Sequence, residues 1–304
     1  MAGRPRSSNR ALGRMIWAMA PTFIPPFRLS PAAPVWASVL PGAASATGLS
    51  IDVHAGIEIG VVLTGRLERH SPDHVLLGIP GDVWLCGMWE PHGWRDVLAH
   101  TERVVVVFLP EFLEEEMLGD LAWLSIFACP PRHRPWVSAP QMRQKALAIG
   151  QRLRQEIEAK QAGWRTSVRL DLLRLLFDLS REWRPPATAS GRLHPRASHL
   201  GRIMPALTLL HQQGAEGISL LQAADACSLG QTRFRLLFRR TMGLSFGRFR
   251  LRARLAAAAH LLLTTDQPID HIAIKVGFAD GSHLHRSFVK QYGCTPGQYR
   301  QQGQ

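Results

Sequence analysis

The chain of 304 residues has little cysteine, few acidic residues and no long apolar run near its N-terminus. Its four cysteines are widely spaced and include no C-x-x-C pair, which argues against a disulfide framework and a cysteine-based zinc site. The apolar residues 15–20 stop at Pro21, so this run is too short for a signal-peptide core or a membrane span. We therefore expect a cytoplasmic protein that does not bind membranes.

The scarcity of acidic residues leaves the chain strongly positive. Lys and Arg number 36 against 23 Asp and Glu, which gives a net charge of +13. An excess of this kind favours a polyanionic partner, and nucleic acid before a membrane surface. The sequence also lacks a glycine-rich phosphate loop, a nucleophile elbow and a recognisable Ser-His-Asp pattern. We therefore expect no enzymatic activity and no cofactor.

Composition and hydrophobic periodicity predict an α+β protein with five segments. Short alternating apolar stretches, such as 57–63 and 104–108, are separated by Gly and Pro turns and are typical of a β-barrel or sandwich. Later apolar residues recur every three or four positions, which indicates helices. The predicted boundaries are a partly disordered leader at 1–48, a β-rich barrel at 49–136, a helical hairpin at 137–184, a linker at 185–198 and a helical domain at 199–304.

The helical domain opens with a pattern that predicts a helix-turn-helix unit. Ser219 and Gln222 have the spacing of a capping box before a short helix. A turn at 227–230 then leads to a second helix at about 231–241. Pro205 is expected in the opening turn of the helix before this unit, because proline disrupts a helix interior.

The same pattern returns near the C-terminus. A helix at 269–276 is expected to be capped by residues 265–268 and to end at Gly277 in the left-handed conformation. The helix after this turn begins at Ser282, and an arginine-rich helix at 245–264 connects the two units. From residue 200 onward, eleven arginines and two lysines stand against five carboxylates, so this third of the chain holds most of the net charge.

This region resembles the AraC/XylS family of bacterial regulators. The resemblance spans about residues 200–300 and is carried by 234–246 (FRLLFRRTMGLSF), 269–278 (IDHIAIKVGF), 282–288 (SHLHRSF) and 292–300 (YGCTPGQYR). The chain departs from the family at Ser228 and Gly230, where glycine and serine are usual, and at Ala223, where leucine is usual. These departures alter the first turn and its cap and bear on the geometry of the first recognition helix, though not on its existence.

The resemblance implies a sequence-specific transcriptional regulator, such as an activator. For the matching region it implies seven helices, two of which are recognition helices that lie in successive major grooves. Its implied partners are double-stranded DNA, RNA polymerase, a small-molecule effector and a second copy of the chain. Arginine suits base reading because it can pair bidentately with guanine. The predicted DNA-contacting residues are Thr232, Arg235, Leu236 and Arg239 in the first unit, Ser282, His283 and Arg286 in the second, and Arg252 on the connecting helix.

The β-rich segment is similar to the cupin-like effector or dimerisation domains that accompany this DNA-binding unit. Trp84, Trp89 and His92 are candidates for an effector pocket, although such residues also fill barrel cores. Cupin enzymes hold a metal with two histidines one residue apart, a glutamate and a later histidine. His54 and Glu58 lack the paired histidine, so no metal site is expected.

Several alternatives stay open at the level of sequence. The hairpin at 137–184 forms either a dimer seam or part of its own domain's packing. The whole chain could instead be a cupin-type metal-dependent enzyme with an accessory helical domain. A third possibility is a basic helical module for protein partners or anionic membranes, which the duplicated turn motifs disfavour.

Overall fold

A computed structural model describes most of the chain beyond residue 28. The described residues are 29–30, 32–42, 50–52, 54–71, 74–90, 92–113, 123, 126–127, 129, 131–137, 139–183, 197–213, 218–242 and 244–301. Most of the predicted leader and nearly all of the predicted linker therefore lie outside the described residues. Within this part of the chain, every helix is too short or too polar to cross a lipid bilayer.

The β-rich half contains two four-stranded antiparallel sheets that face each other. The strands are β1 (Val35–Pro41), β2 (Ser50–Asp52), β3 (Ile57–Thr64), β4 (Leu67–Ser71), β5 (His74–Gly78), β6 (Val83–Cys86), β7 (His92–Asp96) and β8 (Glu102–Phe108). One sheet has the order β1-β8-β3-β6 and the other β2-β7-β4-β5. No pairing between described strands joins the sheets, so they form an open sandwich and not the closed barrel that the sequence suggested.

The sequence predicted four of the five mainly apolar strands (β3, β5, β6 and β8) and missed β1, β2, β4 and β7. β3 and β8 are buried along nearly their whole length, as continuous apolar runs require. β4 and β7 were missed because they carry charged residues into the interior, including Arg69 and His92. β1 lies inside the segment that was predicted as a leader. For residues 35–41 that prediction is wrong, because the strand pairs with β8 and buries the alternating side chains of Val35 and Ala37.

The predicted helical hairpin is confirmed and covers the first sheet. Helix α1 (Pro140–Ala159) packs on β3 and β1, and α2 (Trp164–Glu182) packs on α1. Gly163 has φ +85° in the turn between the helices. On α2, the side chains of Leu170 and Phe177 are exposed to solvent.

Seven helices follow in the described C-terminal part, the number that the family resemblance implies. They are α3 (Ala197–Gln213), α4 (Leu220–Ala226), α5 (Gln231–Met242), α6 (Phe246–Thr264), α7 (Ile269–Lys275), α8 (Gly281–Tyr292) and α9 (Pro296–Gln301). The capping box of Ser219 and Gln222 is present. The expected cap at 265–268 is wrong, because α7 begins after Pro268 without a side-chain hydrogen bond.

Helix α3 also differs from the expectation, because Pro205 lies inside it and not in its first turn. Proline has no amide hydrogen to donate to the carbonyl four residues earlier, which weakens a helix at that point. Burial compensates for this loss. Ile203, Ala206 and Leu207 are at most 5% exposed and pack into the helical core.

Each helix-turn-helix unit has its own aromatic core. In the first unit, the Phe238 ring lies 5.5 Å from the Phe234 ring and 5.2 Å from the Phe246 ring. In the second unit, the ring of Phe288 lies 4.4 Å from Tyr292 and 5.1 Å from Tyr299. These rings are buried and hold the recognition helices α5 and α8 against the connector helix α6.

The two turns have the same backbone form although their sequences differ. Gly277 has φ +83°, as predicted, and Ser228 has φ +52° at the equivalent place. The amide of Leu229 donates to Ala224 at 2.9 Å, and the amide of Phe278 donates to Ala273 at 2.9 Å. The unusual serine therefore preserves the turn, but in a conformation that costs a residue with a Cβ atom about 1–2 kcal/mol.

The seven C-terminal helices, residues 197–301, are called the helical half below. Replacing Ser228 by glycine is therefore expected to stabilise this half by about 0.5–1 kcal/mol, after allowing for the higher unfolded-state entropy of glycine. Ser228 is exposed, so the change removes no buried contact. Chemical denaturation followed by helical circular dichroism measures the effect. The matched control, Gly277→Ser, is expected to lower the stability of the same half. If both variants were as stable as the parent chain, the cost assigned to a side chain at these left-handed turn positions would be wrong.

Candidate nucleic-acid interface

The first candidate recognition helix, α5, presents one polar face to solvent. Thr232, Arg235, Leu236 and Arg239 are all exposed, whereas Phe234, Leu237 and Phe238 on the opposite face are buried. Within the described residues, neither Arg235 nor Arg239 takes part in an ion pair. Both guanidinium groups are therefore available to an external anion or base edge.

The second candidate recognition helix, α8, repeats this arrangement. Its N-cap is Asp280, whose carboxylate accepts a hydrogen bond from the amide of His283 at 2.6 Å. Ser282, His283 and Arg286 are exposed together at the start of the helix. The His283 ring packs edge-on against Phe278 at 5.1 Å, which fixes its position beside the turn.

The connector helix α6 divides its arginines between solvent and the β-rich half. Ser245 caps its N-terminus, and Arg248 in the first turn is exposed. Arg252, one turn later, is half-buried in a cavity lined by both halves of the chain, with Glu90 and Arg134 among its neighbours. This position argues against the predicted phosphate contact of Arg252 and leaves Arg248 as the accessible alternative.

A short segment of the β-rich half, residues 87–90, forms the contact with the connector helix. Trp89 has φ +49°, and its ring packs edge-on against Phe249 of α6 at 4.8 Å. The Glu90 carboxylate pairs with Arg134 at 2.7 Å. Burial opposes ionisation of Glu90, but Arg134 and, more weakly, Arg252 hold the pKa of its carboxyl below the usual range.

A buried polar cluster lies between the two sheets, centred on Glu58 of β3. Its Oε1 accepts hydrogen bonds from Arg69 at 2.6 Å and from the Trp84 indole at 2.5 Å. Its Oε2 lies 3.1 Å from His54 Nε2 and 3.2 Å from His92 Nε2. Burial raises the pKa of Glu58, but the neighbouring Arg69 and His92 outweigh it and hold that pKa well below its ordinary value.

The three predicted effector residues do not share one pocket. Trp84 and His92 meet at Glu58, whereas the Trp89 ring is turned towards α6. The effector assignment therefore stays a prediction for Trp84 and His92. For Trp89, the structure shows a contact between the two halves.

Asp52 and Arg69 also belong to this polar cluster, although neither was a predicted site residue. Asp52 lies one residue from His54 and takes the place of the paired histidine whose absence argued against a metal site. In the structure, one potential ligand atom from each of Asp52, His54, Glu58 and His92 lies within 4.8 Å of the others, and all four residues are buried. The spacing Asp-x-His-x-x-x-Glu is the signal that was available.

A family model and two of the similar proteins match about a third of this chain. A family model described as a helix-turn-helix domain matches residues 223–302. The HTH-type transcriptional activator RhaS of Escherichia fergusonii is 32% identical over 100 residues, which are 33% of this chain and 36% of RhaS. RclR of Escherichia coli K12, an RCS-specific HTH-type activator, is 32% identical over 109 residues, 36% of each chain. These matches span about a third of the relatives' length.

A longer match includes the β-rich half. The HTH-type transcriptional activator RhaR of Yersinia pestis bv. Antiqua (strain Angola) is 30% identical over 258 residues, which are 82% of this chain and 83% of RhaR. The chain belongs to the AraC/XylS family of transcriptional regulators. The fold of this AraC-type regulator is similar to that of ToxT from Vibrio cholerae, with a TM-score of 0.51 at 11% identity over 88% of this chain and 98% of ToxT. As a member of this family, it is a DNA-binding transcriptional regulator.

Proposed function

We propose that this regulator reads its operator with α5 and α8 in two successive major grooves. The observation that carries the proposal is the repeated exposed face. The exposed faces of both helices present arginine and short polar side chains, and each face lies opposite a buried aromatic core. A helix of this composition fits the major groove, where arginine distinguishes guanine from the other bases.

Different arginines are proposed for base reading and for phosphate binding. Arg235 and Arg286 are exposed on these faces, and they are the proposed base contacts, together with Thr232 and Ser282. Leu236, Arg239 and His283 complete the proposed surface. Arg248 of the connector is the proposed phosphate contact in place of Arg252. Phosphate contacts set the register but carry no sequence information.

The partners beyond DNA follow from this role. We propose activation of transcription through contact with RNA polymerase in the cytoplasm, without enzymatic catalysis. The exposed Leu170 and Phe177 on α2 support pairing of two copies through that helix, which sedimentation of the purified chain tests. The buried cluster around Glu58 supports response to an effector in the β-rich half.

Arg286→Ala is expected to weaken binding to the selected operator by about 1–3 kcal/mol and to relax preference at one base pair. Arg248→Ala serves as the matched control, because it removes the same charge from a proposed phosphate contact. It is expected to weaken all duplexes alike and to reduce the salt dependence of binding. Titration of operator and random duplexes with each variant measures both effects. Equal weakening of both duplexes by Arg286→Ala would exclude base reading by α8.

A further inference from the structure

We propose that the buried cluster between the two sheets binds one divalent transition-metal ion, with Asp52, His54, Glu58 and His92 as its ligands. The four side chains come from β2, β3, β7 and the loop before β3, and all are at most 7% exposed. Buried groups of this kind are held in proteins by partners or by a metal ion. One potential ligand atom from each of the four side chains lies within 4.8 Å of the others, which is compact enough for a single ion.

Both histidines are oriented as metal ligands. The Nδ1 atom of His54 lies 3.1 Å from the carbonyl oxygen of Gly56, and that of His92 lies 2.7 Å from the carbonyl oxygen of Glu90. A carbonyl oxygen only accepts hydrogen bonds, so each Nδ1 donates its hydrogen. The Nε2 atom of each ring therefore faces the cluster, which is the usual orientation of a metal-bound histidine.

Both Nε2 atoms converge on one carboxylate oxygen. Glu58 Oε2 lies 3.1 Å from one Nε2 and 3.2 Å from the other, and its Oε1 is held by Arg69 and Trp84. Among the described residues, His92 Nε2 has no hydrogen bond of acceptable geometry. A metal ion at this point would take the place of the hydrogens that the two Nε2 atoms direct at Glu58 Oε2, because a metal-bound imidazole nitrogen is deprotonated. Metal bonds of about 2.0–2.2 Å place neighbouring ligand atoms at about this separation.

The ligand set selects the class of ion. Two imidazoles and two carboxylates suit zinc, iron, manganese, cobalt or nickel, whereas calcium and magnesium prefer oxygen ligands alone. Two carboxylates also balance the charge of a divalent ion. Arg69 bonds to the outer oxygen of Glu58 and to Cys86 Sγ at 3.3 Å, so it orients the glutamate without occupying Oε2.

The cluster is joined to the segment that contacts the DNA-binding half. The amide of Trp89 donates to the carbonyl oxygen of His54 at 2.8 Å, and His92 donates to Glu90. The ring of Trp89 packs on Phe249 of α6. Binding of a metal ion in the cluster is therefore expected to change the surroundings of Trp84 and Trp89. If the proposed function holds, the metal ion is also an effector whose binding reaches the connector helix.

Metal binding by the full-length chain tests the proposal. The purified chain is stripped with a chelator and titrated with Zn²⁺ and Mn²⁺, with Mg²⁺ as the control ion, while metal content, tryptophan fluorescence and melting temperature are recorded. We expect one transition-metal ion per chain, a change in fluorescence, a higher melting temperature and no response to Mg²⁺. Failure to bind one Zn²⁺ or Mn²⁺ per chain would overturn the proposal.

Variants locate the bound ion. Asp52→Asn keeps the shape of a ligand and removes its charge, and His92→Gln removes a ring nitrogen, so each is expected to weaken binding at least tenfold. Asp52→Asn is the safeguard if His92→Gln fails to fold. His100→Gln, at an exposed histidine outside the cluster, is expected to bind like the parent. Unchanged binding in Asp52→Asn would overturn the assignment. The titration needs no DNA, so its failure is separate from failure of the proposed operator reading.

Discussion

Phe238→Ala is expected to destabilise the helical half by about 3–5 kcal/mol, the usual cost of removing a large buried aromatic side chain. The Phe238 ring is fully buried and lies 5.2 Å from the Phe246 ring and 5.3 Å from the Phe249 ring. Its loss opens a cavity between α5 and the connector helix, so the first recognition helix loses its support. A loss of this size is a large part of a domain's stability, and DNA binding is expected to disappear with it.

Circular dichroism during chemical denaturation measures this loss, because the helical half contains no tryptophan. Leu236→Ala is the matched control on the same helix. Leu236 is 56% exposed, so its removal is expected to change stability by less than about 0.5 kcal/mol. If Phe238→Ala cost no more than Leu236→Ala, the assignment of the buried and exposed faces of α5 would be wrong.

Asp96→Ala is expected to cost the β-rich half a similar amount, about 3–5 kcal/mol. Arg103 Nη1 lies 2.6 Å from Asp96 Oδ1, and the side chains are only 5% and 4% exposed. Removing the carboxylate leaves a buried guanidinium without its charged partner, which is far more costly than losing an exposed pair. Because all nine tryptophans precede the helical half, intrinsic fluorescence reports this unfolding.

The exposed pair of Arg154 and Glu158 provides the control. These side chains are 43% and 52% exposed, so Glu158→Ala is expected to cost less than about 1 kcal/mol. Replacing both buried partners with apolar residues, Asp96→Leu with Arg103→Met, is expected to recover stability relative to Asp96→Ala. A double variant that is less stable than Asp96→Ala would contradict the view that the unpaired charge causes the loss.

The helical half could be predicted from sequence because its signals are local. The capping box at Ser219, the glycine at 277 and the three-to-four spacing of apolar residues act within one or two turns of chain. The same locality explains what the sequence does not show. Helix α3 continues past Pro205 because tertiary packing stabilises it. The surroundings of Arg252 depend on Glu90, which is distant in the sequence.

The interior of the β-rich half could not be predicted in the same way. The sequence shows Glu58 but not which residues contact it, because its partners Arg69, Trp84 and His92 come from three other strands. Charged residues on a strand usually indicate a solvent-facing side, and here they face inward, which concealed β4 and β7. Only the pairing of strands brings these groups to one place.

Selection of duplexes from a randomised DNA pool by the full-length chain tests the central claim most directly. Two recognition helices in successive major grooves predict an enriched motif of two blocks, centred about one helical turn or roughly 10 base pairs apart. Arg235→Ala is expected to degrade one block and Arg286→Ala the other, and binding is expected to weaken steeply with salt. A pool with no enriched motif, or a motif that neither variant alters, would contradict the claim that α5 and α8 read DNA.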